Sequence, residues 1–223
     1  LNEDVNEEWI SDKTRFSYDG LKKRRLDVPM LKKEGLLQPV SWQEALAAVA
    51  ARLDGVPGQR IAAIVGDLVD LEAMTVLRDL MAELGSPHID CRQDGAKLGQ
   101  GGRAGWLFNS TIAGIEQADV CLLIGCDPRH EAPVLNARIR KRWLKGDLLV
   151  GVVGEQADLT YPANYLGAGP DSLAQFIDQP PASKTKPMFI IGQGALNRED
   201  GAAVLSTLAK AAQALGVVKD GWN

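Results

Sequence analysis

Short apolar runs alternate with stretches of helical period from about residue 61 onward. The runs are residues 61–66 (IAAIVG), 88–91 (HIDC), 120–125 (VCLLIG), 148–154 (LLVGVVG) and 188–192 (MFIIG). Segments this short, apolar along their length and mostly closed by Gly, predict strands buried on both faces, as in a parallel sheet. Between them, Leu71, Met74, Leu77, Leu80, Met81 and Leu84 recur at helical spacing. Residues 133–145 predict a helix with Pro133 in its first turn, where the missing N–H costs nothing. Asp171 is placed as the cap of a short helix carrying Leu173, Phe176 and Ile177. Residues 200–215 predict a final helix with Val204, Leu205, Leu208, Ala211, Ala212 and Leu215 inward. Ahead of the first strand, Ser41-Trp42-Gln43-Glu44 is a capping box, and Trp42, Leu46, Val49 and Leu53 fall on one face of the helix it opens.

Five such strands alternating with helices predict an α/β fold: a doubly wound, mostly parallel five-stranded sheet with helices on both faces. The preferred strand order is 2-1-3-4-5. Residues 1–40 break the pattern. They are charge-dense, and Trp9, Ile10, Phe16, Tyr18, Leu21 and Leu26 follow neither period. Turn signals at Asp19-Gly20, Pro29 and Gly35 predict an irregular segment with short strands. The expected organisation is an N-terminal segment over 1–40 and an α/β domain over 41–223.

Composition excludes several classes. With 45% hydrophobic and 24% charged residues over 223 positions, the chain reads as folded. A net charge of −4 argues against nucleic acid as a partner. The run Lys22-Lys23-Arg24-Arg25, and the cations Arg138, Arg140, Lys141, Arg142 and Lys145 of the 133–145 helix, read as solvated or partner-facing. No run of eighteen apolar residues suggests a membrane span. The start LNEDVNEEW is neither a signal nor a transit peptide and reads as part of a longer chain. Cys91, Cys121 and Cys126 form no C-x-x-C and suit a reducing compartment. With His88 and His130 they are too few for most metal sites.

Ligands of such sheets bind beyond the carboxyl ends of the strands. The loop from Gly66 to Asp70 is acidic, and Asp70 reads as a helix cap. The loop from Gly95 to Gly105 is glycine-rich, and Gly99 to Ala104 fits G-x-G-x-x-A, but it lies too far from its strand and reads as a mobile loop. Gly125-Cys126-Asp127-Pro128-Arg129-His130-Glu131 admits two readings. One is a ligand loop. The other is a structural turn in which Asp127 pairs with Arg129 and Glu131 supports the helix start. Cys126 needs an activating base, for which His130 is the nearest candidate. Gly192-Gln193-Gly194-Ala195-Leu196-Asn197 either turns the chain or brings its backbone to a ligand. No catalytic motif is present, so no catalytic residue and no metal ligand is assigned.

Four stretches carry a resemblance. They are residues 6–16 (NEEWISDKTRF), 109–119 (NSTIAGIEQAD), 131–141 (EAPVLNARIRK) and 166–171 (LGAGPD). Together they resemble the large iron–sulfur subunit of respiratory NADH–quinone oxidoreductase (complex I), in the part after its iron–sulfur region. That part is related to molybdopterin oxidoreductases, where loops like Gly125–Pro128 and Gly169–Asp171 help hold a pterin guanine dinucleotide. The resemblance therefore implies vestigial cofactor positions at Gly125, Asp127, Pro128, Gly169 and Asp171. Asp127 stands where the related enzymes usually have Asn, and no basic residue precedes the second loop. The implied function is a structural and docking domain of a subunit that carries electrons from NADH toward quinone. Its Fe–S clusters are expected upstream and no cofactor is expected in this chain. The implied partners are the other subunits of the complex and the upstream Fe–S domain, met by Trp9 and Phe16. Neither nucleic acid nor membrane insertion is expected. The implied location is the peripheral arm on the cytoplasmic side of a bacterial inner membrane, or the matrix side in mitochondria. The alternative is a pterin- or nucleotide-binding domain of a molybdopterin-type oxidoreductase, or an independent regulatory nucleotide-binding module.

Overall fold

The computed structural model describes residues 2–91, 95–99, 105, 107–179, 181 and 185–222. Two units form: Leu1–Arg15 together with Asp94–Asn223, and Phe16–Gln93. The chain thus divides at 15/16 and 93/94 rather than at 40/41. The first residues belong with the larger unit because one of its helices grips them.

In the smaller unit, β1 (Met30–Lys33) and β2 (Leu36–Pro39) pair antiparallel. Glu34 (φ 51°) and Gly35 (φ 85°) turn between them, the two positive φ angles that a tight hairpin requires. Ser41 Oγ accepts from Glu44 N at 3.1 Å and opens helix α2 (Trp42–Leu53). The Glu44 carboxylate meets Lys33 Nζ at 2.6 Å instead of turning back to the cap. β3 (Ala62–Ile64) and β4 (His88–Asp90) form a parallel pair through helix α3 (Leu71–Glu83). Asp70 caps α3, its carboxylate accepting from Ala73 N at 2.8 Å. Trp42, Leu46 and Val49 are exposed, contrary to the inward face their spacing predicts. A two-stranded sheet offers too little surface to bury them.

The larger unit holds the parallel sheet: β5 (Val120–Ile124), β6 (Leu149–Val153), β7 (Asn164–Gly167) and β8 (Pro187–Ile191), in the order β7-β6-β5-β8. Helices α6 (Pro133–Leu144), α7 (Pro170–Asp178) and α9 (Gly201–Ala214) flank it. Short helices α4 (Thr111–Gly114), α5 (Pro128–Glu131) and α8 (Gln193–Leu196) shape the connections. Side chains of β5 alternate between two cores. Cys121 and Leu123 join Ile115, Ile139 of α6, Tyr161 and Trp222 on one face. Leu122 and Ile124 join Leu173 of α7 and Leu208 of α9 on the other. Helices do cover both faces, as an all-parallel sheet demands.

The α/β class holds, but the single five-stranded sheet becomes a parallel sheet of four plus the separate β3–β4 pair. The strand missed by sequence pattern is β7. It is short and polar (NYLG) and lies at an edge, so its sequence lacks the apolar run of an inner strand. The order also changes. β5 lies between β6 and β8, so 188–192 pairs with 120–125 rather than with 148–154, while 120–125 keeps the inner place that the expected order gave it. Counted along the chain the order is 3-2-1-4, half of a doubly wound nucleotide-binding sheet plus the strand across its switch point.

Arg138 fastens the first residues to α6. It is 3% exposed. Its Nε donates to Glu7 Oε1 at 2.7 Å, Nη1 to Asp4 O at 2.8 Å, and Nη2 to Glu3 O at 2.7 Å and Asn6 O at 3.0 Å. Lys141 Nζ donates to Glu7 Oε2 at 2.8 Å. Arg138 is therefore not part of a solvated basic face, while Lys141 pairs with Glu7 and stays half exposed. Burial by itself raises the Glu7 carboxyl, but the hydrogen bonds and charges of Lys141 and Arg138 outweigh it and hold the group below its ordinary value. A carboxyl depressed on folding contributes stability that is complete above its unfolded value, about 4.3. That contribution is lost as pH falls through the lower folded value. The expected result is protection of residues 2–15 from proteolysis at pH 5–7 and its loss on acidification below about pH 4. Glu7→Gln should flatten this acid dependence. An unchanged acid profile in that variant would assign the effect to another group.

Candidate functional site

The loops that follow the four strands of the larger sheet surround one cleft of about 1150 Å³. Glycines let the strand ends close up beneath it. Gly125 has φ 56°, and a Cβ there would lie 2.7 Å from Ala195 Cβ. A Cβ at Gly192 would lie 2.4 Å from both Cys126 Cβ and Gly125 O. Backbone bonds join the ends: Gly125 N to Val153 O at 2.8 Å, Gly192 N to Ile124 O at 2.9 Å and Gly154 N to Gly167 O at 3.0 Å. Gly192→Ala forces a methyl against a backbone carbonyl that has no rotamer to yield. The expected loss is about 1–3 kcal/mol, the usual cost of overpacking, read from the chemical denaturation midpoint. A midpoint equal to that of the unsubstituted protein would mean that the strand ends are not packed this closely.

Of the positions singled out in the sequence, Gly125, Asp127 and Gly169 line the cleft. Pro128 is buried at the first position of α5 and does not line it. Asp171 is exposed at the second position of α7. Gly169, not Asp171, precedes that helix as its cap residue. From the fifth-strand loop, Gly194 and Ala195 reach the cleft. In the loop from Gly95 to Gly105, residues 100–104, which complete the G-x-G-x-x-A pattern, lie outside the described residues.

Charge in the cleft is arranged in pairs. Asp127 accepts from Arg129 N at 3.0 Å and meets His130 Nδ1 at 2.6 Å. Glu131 Oε1 accepts from Asp127 N at 2.6 Å, closing the turn. Arg129 does not pair with Asp127, as the turn reading has it. Its Nη1 donates to Asp158 Oδ2 at 2.6 Å and Asp158 O at 2.9 Å. Arg198 forms a two-pronged pair with Asp200 at 2.7 and 2.9 Å. Burial raises the Asp127 carboxyl, but the hydrogen bond and charge of His130 prevail and hold it below the carboxylate range. The Thr160 amide and Arg129 lower Asp158, and Arg198 lowers Asp200. All three carboxyls stay ionised at neutral pH.

The loop that carries Asp158 is tied from behind. Tyr161 O–H donates to Asn136 Oδ1 at 2.7 Å, and Asn136 Nδ2 donates to Leu159 O at 3.0 Å. Cys126 is no nucleophile in this setting. Burial, with Glu131 and Asp127 adding to it, pushes its thiol up to about 11. Its Sγ faces Ile190 O, while His130 is engaged by Asp127.

Asp158, Glu155, Arg198 and Asp200 line the cleft without having been singled out. Their only signal is position after strand ends, which becomes readable once the strands are placed. The donor set does not fit a dinucleotide diphosphate. Asp127, Glu131, Glu155, Asp158 and Asp200 face it, and both lining guanidiniums are already neutralised by carboxylates. A diphosphate favours amide nests or free cations. Among the described residues no group of three or more His, Cys, Asp or Glu is placed to hold a metal ion, and no helix is long and apolar enough to cross a membrane.

The chain matches the family model of molybdopterin oxidoreductases over residues 25–223. Residues 1–19 match the model described as "NADH-ubiquinone oxidoreductase NDSU1/NuoG-like, 4Fe-4S domain". Over its whole length the chain is 42% identical to the G subunit of the NADH-quinone oxidoreductase of Rickettsia bellii and 44% identical to that of Rickettsia felis. It is 41% identical to the mitochondrial NADH dehydrogenase [ubiquinone] iron-sulfur protein 1 of Solanum tuberosum. It spans about a third of their length: 34%, 34% and 31%.

Proposed function

Because the chain belongs to the molybdopterin oxidoreductase family, we propose that it is a structural and docking domain of the iron–sulfur subunit of an NADH–quinone oxidoreductase, retained after loss of the pterin cofactor. It has no catalysis of its own in this reading. Electrons pass from NADH toward quinone through Fe–S clusters held upstream in the same polypeptide. The chain's three cysteines are too few for a cluster held by four thiolates. Its partners are the other subunits of the respiratory complex and the upstream 4Fe–4S domain, within the arm that projects from the membrane. Gly125, Asp127, Pro128, Gly169 and Asp171 are what is left of the cofactor loops.

The observation that carries this reading is the grip of Arg138 on Glu3, Asp4, Asn6 and Glu7. These residues lie in the stretch that matches the 4Fe–4S domain. The α/β domain therefore holds the end of the preceding domain through a buried ion pair, while its cleft neutralises its own cations. The test is production of the full-length subunit in cells supplied with molybdenum and pterin precursors. Elemental analysis and absorbance should detect Fe–S clusters with less than one-tenth equivalent of molybdenum. Stoichiometric molybdenum with a pterin chromophore would overturn the proposal in favour of a cofactor-binding domain.

A further inference from the structure

One short helix of the cleft also reaches the first residues of the chain. Asp127, Arg129, His130 and Glu131 line the cleft, and all but the first belong to α5. Asp127 fixes the start of that helix. Its carboxylate accepts from Arg129 N at 3.0 Å and meets His130 Nδ1 at 2.6 Å, while its own N–H donates to Glu131 Oε1 at 2.6 Å. Arg129 ties the helix to the loop of Asp158. Ala132 ends α5 and starts α6, so the two helices form one continuous element.

Helix α1 (Asp12–Ser17) meets this element through one side chain. Lys13 Nζ donates to His130 O at 3.1 Å. Pro128 O accepts from Ala132 N at 3.1 Å and closes α5. His130 O lies beyond that bond, among the carbonyls that a helix end leaves without an internal partner. A lysine ammonium satisfies such a carbonyl. Further along, Arg138 of α6 grips Glu3, Asp4, Asn6 and Glu7. Residues 3–13 are thus held at two places on one element, and the start of that element is a wall of the cleft.

The direction of His130 O depends on how α5 is set. A single helical turn does not hold itself together. Its orientation comes from the bonds at its start, and Asp127 supplies the acceptors for Arg129 N and the His130 ring. Without that carboxylate nothing at the cleft face keeps the His130 carbonyl turned toward Lys13.

We infer that Asp127 is a positioning residue for the start of the chain: through α5 it presents His130 O to Lys13 and so seats α1. The cleft wall and the seat of the stretch that matches the 4Fe–4S domain are then one unit. What that seat means for an iron–sulfur subunit rests on the proposed function, whereas the link from Asp127 to Lys13 lies wholly within this chain.

Hydrogen exchange on the full-length subunit tests it. The amides of Thr14 and Arg15 donate to Ser11 Oγ and Ser11 O, so their exchange reports the first turn of α1. Asp127→Ala should speed it about two- to tenfold, the worth of one hydrogen bond. Lys13→Met should speed it equally, and the double variant no further, because both break the same contact. Asp127→Asn keeps an oxygen for the Arg129 amide and should stay within about twofold of the unsubstituted protein. Residues 3–7 remain on Arg138, so their exchange should not change, nor should that of β5. A merely structural loss would free all three regions together. Unchanged exchange at Thr14 and Arg15 in Asp127→Ala overturns the inference. So do additive effects in the double variant, an equal loss in Asp127→Asn, and a joint loss at residues 3–7 and β5. Iron is measured in the same preparation. A subunit with Fe–S clusters in which Asp127 and Lys13 act independently sinks the positioning role alone, whereas an iron-free subunit in which they act together sinks the family reading alone.

Discussion

Glu7→Ala should destabilise the larger unit by about 3–5 kcal/mol, the cost of removing one partner from a buried ion pair. The side chains of Glu7 and Arg138 are 3% and 4% exposed. Without Glu7, the Arg138 guanidinium is left inside with only the carbonyls of Glu3, Asp4 and Asn6. Arg138→Met should cost less, about 3 kcal/mol, because Lys141 still pairs with the Glu7 carboxylate and is half exposed to water. The asymmetry separates a buried ion pair from mere packing, which would make the larger arginine the costlier loss. Denaturant midpoints of both variants and the double variant give the coupling directly. If residues 2–15 open locally before the sheet does, the loss shows in their protection from protease. Unchanged midpoints together with unchanged protection would mean that the grip carries no stability.

This grip could not be read from the sequence. Arg138 stands among Arg140, Lys141 and Arg142 on a helix whose composition suggests a solvated face, and its partner lies 131 residues away. Local pattern reports which residues suit a helix but not which one a distant segment will cover. The same limit governs the cleft. Gly125 and Asp127 were legible because strand ends place ligand loops and glycines mark strand ends, whereas Gly169 was reached only through the family resemblance. Asp158 was not, because its meeting with Arg129 spans 29 residues without a motif. In the fold, β5, β6 and β8 were legible since strands buried on both faces must be apolar throughout. Edge strand β7 escaped for the converse reason, as its Asn164 and Tyr165 face solvent. β3 and β4 read like inner strands of the main sheet yet, among the described residues, pair with each other alone. Hydrophobicity records that a strand can be buried, not which sheet it joins.

Leu123→Ala tests the centrality of β5 most directly and should cost about 2–5 kcal/mol. Leu123 is 0% exposed and lies in register with Val152 on one side and Ile190 on the other. Its side chain fills the core shared with Ile139, Tyr161 and Trp222. Truncation loses its transfer free energy and leaves a cavity, since neighbours pinned by strands on both sides relax little. Leu122→Ala empties the opposite core, against Leu173 and Leu208, and should cost a similar amount. Leu149 begins β6 in a 41% exposed position, so Leu149→Ala should cost less than about 1 kcal/mol. The three variants carry the same chemical change and differ only in burial. Denaturant midpoints falling in the order Leu149→Ala well above Leu122→Ala and Leu123→Ala place β5 between two cores. Equal losses at all three positions would remove β5 from the centre of the sheet, and the cleft at its carboxyl end would lose its switch-point position.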